Sequence, residues 1–262
     1  MGGIVLTGSR TTDFNLEVAK GNFTGETPIT INMTTTAATS VFGDWWNLGG
    51  LLTYPTVAET LQVRSTSPND TDGGSGANKV QINTLSLARI EQTQDVTLNG
   101  TTPVVLTGTH FRMNPSLVIP PVGTPEGNNE GDIIIETAAG LRRQTIAATS
   151  GLSHEGFSTV PAGFSLFGVQ LISCPSFNNH GEMRIGYRLP GSDQPFIYGP
   201  PIPFYQQPLV MPVKSPFGVP QQSDIRFQVR CDNSNALLTQ QADIILVDNS
   251  TLQNPQANIE AR

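Results

Sequence analysis

The sequence predicts an all-β protein, and three observations support that prediction. Glycine and proline are abundant, with 26 and 20 residues in a chain of 262, more than long helices tolerate. The segments EMRIGYRL (182–189) and DIRFQVRC (224–231) alternate apolar and polar residues, which is the period of a strand with one buried face and one solvated face. Turn-forming residues recur about every eight to twelve positions, as in sandwiches and barrels. We therefore predict two domains of the β-sandwich or jelly-roll type, preceded by an extended N-terminal arm.

The arm is expected to span residues 1–55. Its periodicity is weak, although ITINM (29–33) could form a short strand. Both tryptophans, Trp45 and Trp46, follow Phe42 in the apolar segment at the end of the arm. Tryptophan is over-represented among residues that dominate binding energy, so these three aromatic residues are candidates for an anchor on a neighbouring subunit. The alternative is that the segment folds back over the sheet of its own domain.

The first β domain is expected at residues 56–150. Two residues that tolerate positive φ, Asn99 and Gly100, separate two apolar runs and predict a β-hairpin between Asp95 and Leu106. The alternating runs at 61–63 and 80–82 predict a second hairpin-like pair with a long Gly-rich tip. Further strands are expected at 117–119 and 133–136, and the segment 142–151 then closes the domain.

The second β domain is expected at residues 157–249. It begins near the turn VPAG (160–163) and contains the two alternating strands. Its last strand, ADIILVDN (242–249), is predicted to be buried on both faces from Ile244 to Val247. Proline is too frequent between 198 and 222 for a central strand, so this segment is predicted to be an edge or a crossover. The polar residues 250–262 are expected to form a flexible tail.

Four arginines would form a basic stripe if the two alternating strands are neighbours: Arg184, Arg188, Arg226 and Arg230. They are either ordinary charges on a solvated face or a docking face for an acidic partner, such as another copy of this chain. A second surface candidate lies in the proline-rich segment. There Tyr198, Phe204 and Tyr205 could contact a glycan through an exposed aromatic groove.

Composition limits the classes of partner. Only 13% of residues are charged and the formal net charge is −7, so a direct role in binding nucleic acid, which needs clustered Lys and Arg, is not expected. No apolar run approaches the roughly 20 residues of a membrane helix, and no signal peptide is recognisable at Met1. We therefore expect synthesis in a cytoplasm and no membrane partner.

No catalytic or metal-binding constellation is recognisable, so we expect neither an enzyme nor a cofactor. NDTDG (69–73) has the start of a calcium loop but lacks the glutamate at its end, and a Gly-rich turn is the preferred interpretation. The three histidines have no metal-ligand spacing, and no G-x-S-x-G nucleophile elbow precedes a helix. Cys231 is predicted to be a buried apolar residue, and whether it pairs with Cys174 stays open.

The region from Asp44 to Asn114 carries a family likeness. Its segments WNLGGLLTYPTVAET (46–60), STSPNDTDGGSGA (65–77) and DVTLNGTTPV (95–104) resemble a type of virion structural protein of tailed phages and marine viruses. TVPAGFSLFGVQL, MRIGYRLPG, VPQQSDIRFQV and ADIILVDN resemble the β-sandwich that follows in that family, so the likeness extends to about residue 249. The chain departs from the family pattern in the linking segments 114–132 and 198–208.

The resemblance implies a non-enzymatic component of a virion. Its expected place is on the capsid, as a decoration, vertex or head-fibre protein, with a neck or tail component or a host-surface glycan-binding module as alternatives. Expected partners are further copies of the chain, with a trimer favoured, and other virion proteins such as the major capsid protein. The family offers no catalytic residues that could be carried over to this sequence.

Overall fold

A computed structural model describes residues 14–35, 39–122, 128–175, 180–191, 194–205, 209–212, 218–232 and 237–252. The chain is almost entirely β-structure, so the predicted all-β class is confirmed. The elements in chain order are α1 (Phe14–Ala19), β1 (Glu26–Thr35), β2 (Gly43–Asp44), β3 (Leu61–Ser65), β4 (Ala77–Leu85), β5 (Glu91–Thr97), β6 (Val104–Val105), β7 (Arg112–Met113), β8 (Leu117–Val122), β9 (Ile133–Thr137), β10 (Arg142–Ile146), β11 (Phe157–Thr159), β12 (Phe164–Pro175), β13 (His180–Arg188), β14 (Ile197–Tyr198), β15 (Ile202–Tyr205), β16 (Leu209–Pro212), β17 (Gly218–Val219), β18 (Asp224–Cys231), β19 (Leu238–Asp248) and the 3₁₀ turn η1 (Asn249–Thr251).

Among the described residues these strands form antiparallel sheets that enclose two cores. Sheet A has the order β1-β19-β12-β16, with β17 also on β12, and sheet B has the order β11-β18-β13-β14, with β15 on β13 and β2 on β18. Sheet C has the order β10-β9-β3-β6, and sheet D has the order β5-β4-β7, with β8 also on β4. Side chains of sheets A and B form core 1, and side chains of sheets C and D form most of core 2.

Core 1 rests on the two alternating strands, which pair as neighbours. In β13 and β18 the register places Met183 opposite Val229 and Ile185 opposite Phe227. All four side chains belong to core 1, because alternation sends every second residue to the same face of a sheet. The intervening arginines therefore lie on the opposite, outer face of sheet B.

The N-terminal segment contributes to core 1. Strand β1 includes the predicted ITINM and pairs along its whole length with β19. Residues Ile244 to Val247 of β19 are buried on both faces as predicted, since Val18 of α1 packs with Ile245 and Val247 on the outer side. The proline-rich segment forms the short strands β14 to β17 at the margins of sheets A and B, where missing backbone donors are tolerated.

Both hairpins predicted in the first domain are wrong. Strand β5 pairs with β4, whereas β6 pairs with β3 in another sheet, so the chain crosses between sheets at Asn99 and Gly100. The positive φ of 57° at Gly100 serves this crossover: its N–H donates to Asp70 and its carbonyl accepts from Ser65. The runs at 61–63 and 80–82 also belong to separate sheets, and they meet across core 2 rather than along a ladder.

Candidate functional site

The outer face of sheet B carries the predicted arginine stripe, here called the arginine face. Its residues are Arg184, Arg188, Arg226 and Arg230. The β13–β18 register places Glu182 opposite Arg230, Arg184 opposite Gln228, and Arg188 opposite Asp224. Arg184, Arg188 and Arg230 each face a polar or acidic side chain on the neighbouring strand, whereas Arg226 faces Gly186. The stripe is therefore a row of largely paired charges rather than a uniformly basic surface.

Asp224 is the centre of a buried ion network at one end of the face. Its Oδ1 and Oδ2 accept hydrogen bonds from Arg112 Nε at 2.8 Å and Arg112 Nη2 at 3.1 Å, in a bidentate pair. Arg188 Nε donates to Oδ2 at 3.1 Å, and the Thr159 hydroxyl donates to Oδ1 at 2.7 Å. Burial alone would raise the pKa of Asp224, but the hydrogen bonds and charges of Arg112 and Arg188 outweigh it and lower that pKa.

Asp44 is the second buried carboxylate of the face. It comes from β2, which pairs with β18, and lies 3.0 Å from Arg226 Nε through Oδ1. The Gln228 amide donates to Oδ1, and the backbone N–H of Leu52 donates to Oδ2. Burial raises the pKa of Asp44, because the opposing effect of Arg226 does not fully offset the loss of water around the charge.

Aromatic rings cover the guanidinium groups. The Phe42 ring centroid lies 4.1 Å from the guanidinium carbon of Arg184 and 4.7 Å from that of Arg230. The Tyr198 ring also packs on Arg184, at 3.9 Å. Tyr54 and Phe196 cover the two arginines nearest the buried carboxylates; Phe196 lies 4.7 Å from Arg188 and 4.4 Å from Arg226. Each desolvated contact of this kind contributes about 0.5 to 2 kcal/mol. On this face, guanidinium groups and aromatic rings therefore stack against one another in cation–π contacts.

Two of the four covering rings, Phe42 and Tyr54, belong to a single segment, residues 41–57, here called the strap. Its inner side inserts Trp45 into core 1 and Trp46 into core 2, and the two side chains are 0% and 7% exposed. Trp46 Nε1 donates to the Gly49 carbonyl at 2.8 Å, and its ring meets Phe157 edge to face. The adjacent tryptophans thus fasten one strap to both cores.

An exposed tryptophan anchor is not what the structure shows at these positions. Trp45 and Trp46 lie where the alternative interpretation placed them, folded over their own chain, and Phe42 is half-buried between two arginines. The outward side of the strap carries other apolar residues, which are exposed: Val41, Leu48, Leu51 and Val57. The sequence-based prediction did not choose these residues as the anchor, because tryptophan is over-represented among residues that dominate binding energy.

The arginine stripe also differs from both expectations. Arg188 and Arg226 are 9% and 7% exposed, so they are neither solvated charges nor a free docking face, and only Arg230 reaches well into solvent. Their carboxylate partners, Asp44 and Asp224, were not predicted from the sequence. Asp224 could have been found, since it opens the strand that also carries Arg226 and Arg230.

The end of the face beyond Phe42 is open. There the strand register aligns Tyr205 with His180 on β13, and Pro203 with Glu182. Asp232 follows β18, and its backbone N–H donates to the His180 carbonyl. These residues border a groove of about 460 Å³ at the end of sheet B.

The three residues predicted to contact a glycan do not form one surface in the structure. Tyr205 is exposed at the groove, but Phe204 points into core 1 and Tyr198 packs on Arg184. The alternation along β15 explains the difference between the first two, because consecutive residues of a strand face opposite sides.

The calcium-like loop is held by internal hydrogen bonds. Asp70 is fully buried and accepts from the N–H groups of Ala77, Glu130 and Gly131 and from the Ser65 hydroxyl. Its oxygens therefore fasten the 65–77 loop to the 128–131 segment. In the described part of the chain no group of three or more His, Cys, Asp or Glu side chains is placed to hold a metal ion. Cys231 is buried in core 1 as predicted, and the side chain of Cys174 lies outside the described residues.

No helix in the described ranges is long and apolar enough to cross a membrane. No protein-family model matches the chain, and no curated protein matches it.

Solved structures of infectious bursal disease virus are similar to the chain at a low level. The structure of the Gx strain aligns with 14% identity over 89% of this chain and 74% of that chain, with a TM-score of 0.27. The VP2 subviral particle of the same virus aligns with 12% identity over 87% of this chain and 74% of that chain, with a TM-score of 0.20.

Proposed function

We propose that the chain is a structural component of a virus particle, on or within the capsid, that acts by forming repeated protein contacts. The sequence resemblance from residue 44 to 249 motivates this proposal. The finer assignment to a decoration, vertex or head-fibre position, with trimers favoured and a neck or tail position as the alternative, belongs to the same proposal. Contact with a major capsid protein would place the chain in the virion.

The observation that carries the proposal is the outward side of the strap. Val41, Leu51 and Val57 are 68%, 59% and 65% exposed, although they belong to a segment fastened to both cores by its tryptophans. Exposed apolar patches are typical of interaction surfaces, and we infer that these side chains of the strap contribute to one. Fully burying one such side chain contributes about 1.5 to 3 kcal/mol, and repeated copies in an assembly multiply weak contacts.

The low charge of the chain supports the same role. Charged residues make up 13% of the sequence, and several of them are used internally: Asp44, Arg112, Arg188, Asp224 and Arg226. The outer surface is left with few charges, and depletion of charge is typical of the central part of protein interfaces.

The test is the oligomeric state of the purified chain, measured by mass photometry and light scattering over a range of concentrations. We expect one defined oligomer, which the double variant Leu51→Ser, Val57→Ser shifts to monomer. The matched control is Val105→Ser, Val210→Ser, because these residues are exposed to a similar degree, 64% and 55%, on other strands. A wild-type chain that stays monomeric, and that adds to no particle of its virus, would refute the proposal.

A further inference from the structure

The groove at the open end of the arginine face has no role in the proposed assembly. Its walls are the ends of β13, β15 and β18 together with Ser40, which precedes the strap. Two cross-strand rows form the floor. The first contains Tyr205, His180 and Asp232, and the second contains Pro203, Glu182 and Arg230.

Tyr205 supplies an apolar surface in this groove. It is 55% exposed, and its ring meets His180 edge to face, with the ring centroids 4.0 Å apart and the planes at 79°. Packing against the imidazole fixes the ring orientation before any ligand arrives. A tyrosine held in this way combines a large contact area with a small loss of conformational entropy on binding.

The polar groups beside the ring remain accessible to solvent. Arg230 Nε donates to Glu182 Oε2 at 2.8 Å, and the two side chains are 44% and 34% exposed. Asp232 lies with its Oδ2 3.8 Å from His180 Nδ1, and both side chains are more than half exposed. Exposed ion pairs contribute little to stability, so a ligand that shares their hydrogen bonds disturbs the fold little.

From this juxtaposition we propose that the groove is a binding site for a neutral saccharide. A pyranose ring has an apolar C–H face that stacks on an aromatic ring and a rim of hydroxyl groups that both donate and accept hydrogen bonds. Carboxylates accept from such hydroxyls and a guanidinium donates to them. Because Glu182 and Asp232 outnumber the single guanidinium of Arg230, the groove favours an uncharged sugar over one that carries a carboxylate.

The groove adjoins the strap at Ser40 and Arg230, but the sugar contacts and the assembly contacts use different side chains. A chain that forms no oligomer can still bind sugar, and an assembled chain can fail to bind it. The two proposals therefore fail separately.

The experiment is saturation-transfer NMR of the full chain with maltotetraose, chitotetraose and lactose as neutral probes and 3′-sialyllactose as the acidic probe. We expect transfer to the ring protons of at least one neutral sugar and weaker transfer to the sialylated one. Tyr205→Ala should reduce the affinity about ten-fold or more, and Asp232→Asn should also reduce it. Val105→Ala, an exposed apolar truncation on sheet C, should leave binding unchanged.

Unchanged thermal unfolding of Tyr205→Ala would show that its effect is local, as expected for an exposed side chain. The proposal is overturned if no neutral sugar shows transfer, if Tyr205→Ala binds as the wild type does, or if the sialylated probe binds best. A Tyr205→Ala variant that loses only self-association would identify the ring as a protein contact instead.

Discussion

Glu155 makes the stability of the protein depend on pH, and the substitution Glu155→Gln should remove that dependence. The side chain is 5% exposed, in the segment that joins the two cores. Its Oε1 accepts the Thr145 N–H at 2.9 Å, whereas its Oε2 has no partner among the described residues. Burial raises the pKa of Glu155 to about 8, against the smaller lowering effects of the Thr145 amide and the Gln144 side chain.

The sign of the effect follows from the direction of the shift. Between the ordinary glutamate pKa of 4.5 and the folded-state pKa of about 8, the folded chain holds a proton that the unfolded chain has lost. Stability contributed by this group therefore falls as pH rises through that window, by about 1.4 kcal/mol per pH unit. From pH 6.5 to 8 the loss is about 2 kcal/mol, which corresponds to roughly 5 °C in melting temperature for a chain of this size.

Glu155→Gln keeps the shape and the acceptor for Thr145 but cannot ionise. Melting temperatures of the wild type and the variant should be similar near pH 5 and should diverge progressively as the pH rises from 5 to 8, with the variant more stable. Burial lowers the pKa of His110 and His154, which changes stability in the opposite direction below pH 6.5 but cancels in the difference between the two proteins. Glu91→Gln, at an exposed glutamate of β5, should track the wild type. A difference between wild type and Glu155→Gln that stays constant with pH would refute this reasoning.

Two further predictions concern the arginine face. Asp224→Asn should lower the free energy of unfolding by about 3 to 5 kcal/mol, because it leaves Arg112 and Arg188 buried beside a neutral group. Glu182→Gln, at the exposed end of the face, should lower it by less than about 1 kcal/mol. Guanidinium denaturation measures both losses, and equal losses would contradict the burial of Asp224. Gly186→Val should displace Tyr198 from Arg184, since a Cβ at Gly186 would lie 2.6 Å from the Tyr198 ring. The displacement should reduce the near-ultraviolet circular dichroism of tyrosine. An unchanged spectrum would show that the ring does not rest on Gly186.

The parts of the fold that the sequence predicts are those governed by periodicity within one strand. β13 and β18 were identifiable because alternation reports which face is buried, and the doubly buried end of β19 because it is continuously apolar. Pairing was harder, because a turn signal does not state which sheet the chain enters next. Asn99-Gly100 is typical of a hairpin turn, yet here it forms a crossover between sheets. The Asp70 carbonyl accepts a hydrogen bond from the Gly100 N–H, and the Gly100 carbonyl accepts one from the Ser65 N–H.

The candidate site shows the same limit more strongly. Arg184, Arg188, Arg226 and Arg230 could be placed on one face from spacing alone. Their burial could not, because it depends on a covering segment more than 130 residues away in sequence, such as Tyr54 over Arg188. A polar strand face indicates solvent only when no other part of the chain supplies rings and carboxylates to cover it.

The strap also explains why charged residues can lie between two cores without loosening the protein. Asp44 brings a carboxylate to Arg226 and accepts the backbone N–H of Leu52, so one residue neutralises the face and fixes the path of the covering chain. Trp45 and Trp46, immediately after it, bury their rings in different cores. Separating the cores would therefore expose a tryptophan and uncover a buried ion network together. Because both free-energy costs arise in the same step, we expect the two cores to unfold as one cooperative unit. Two resolved unfolding transitions in calorimetry would contradict this expectation.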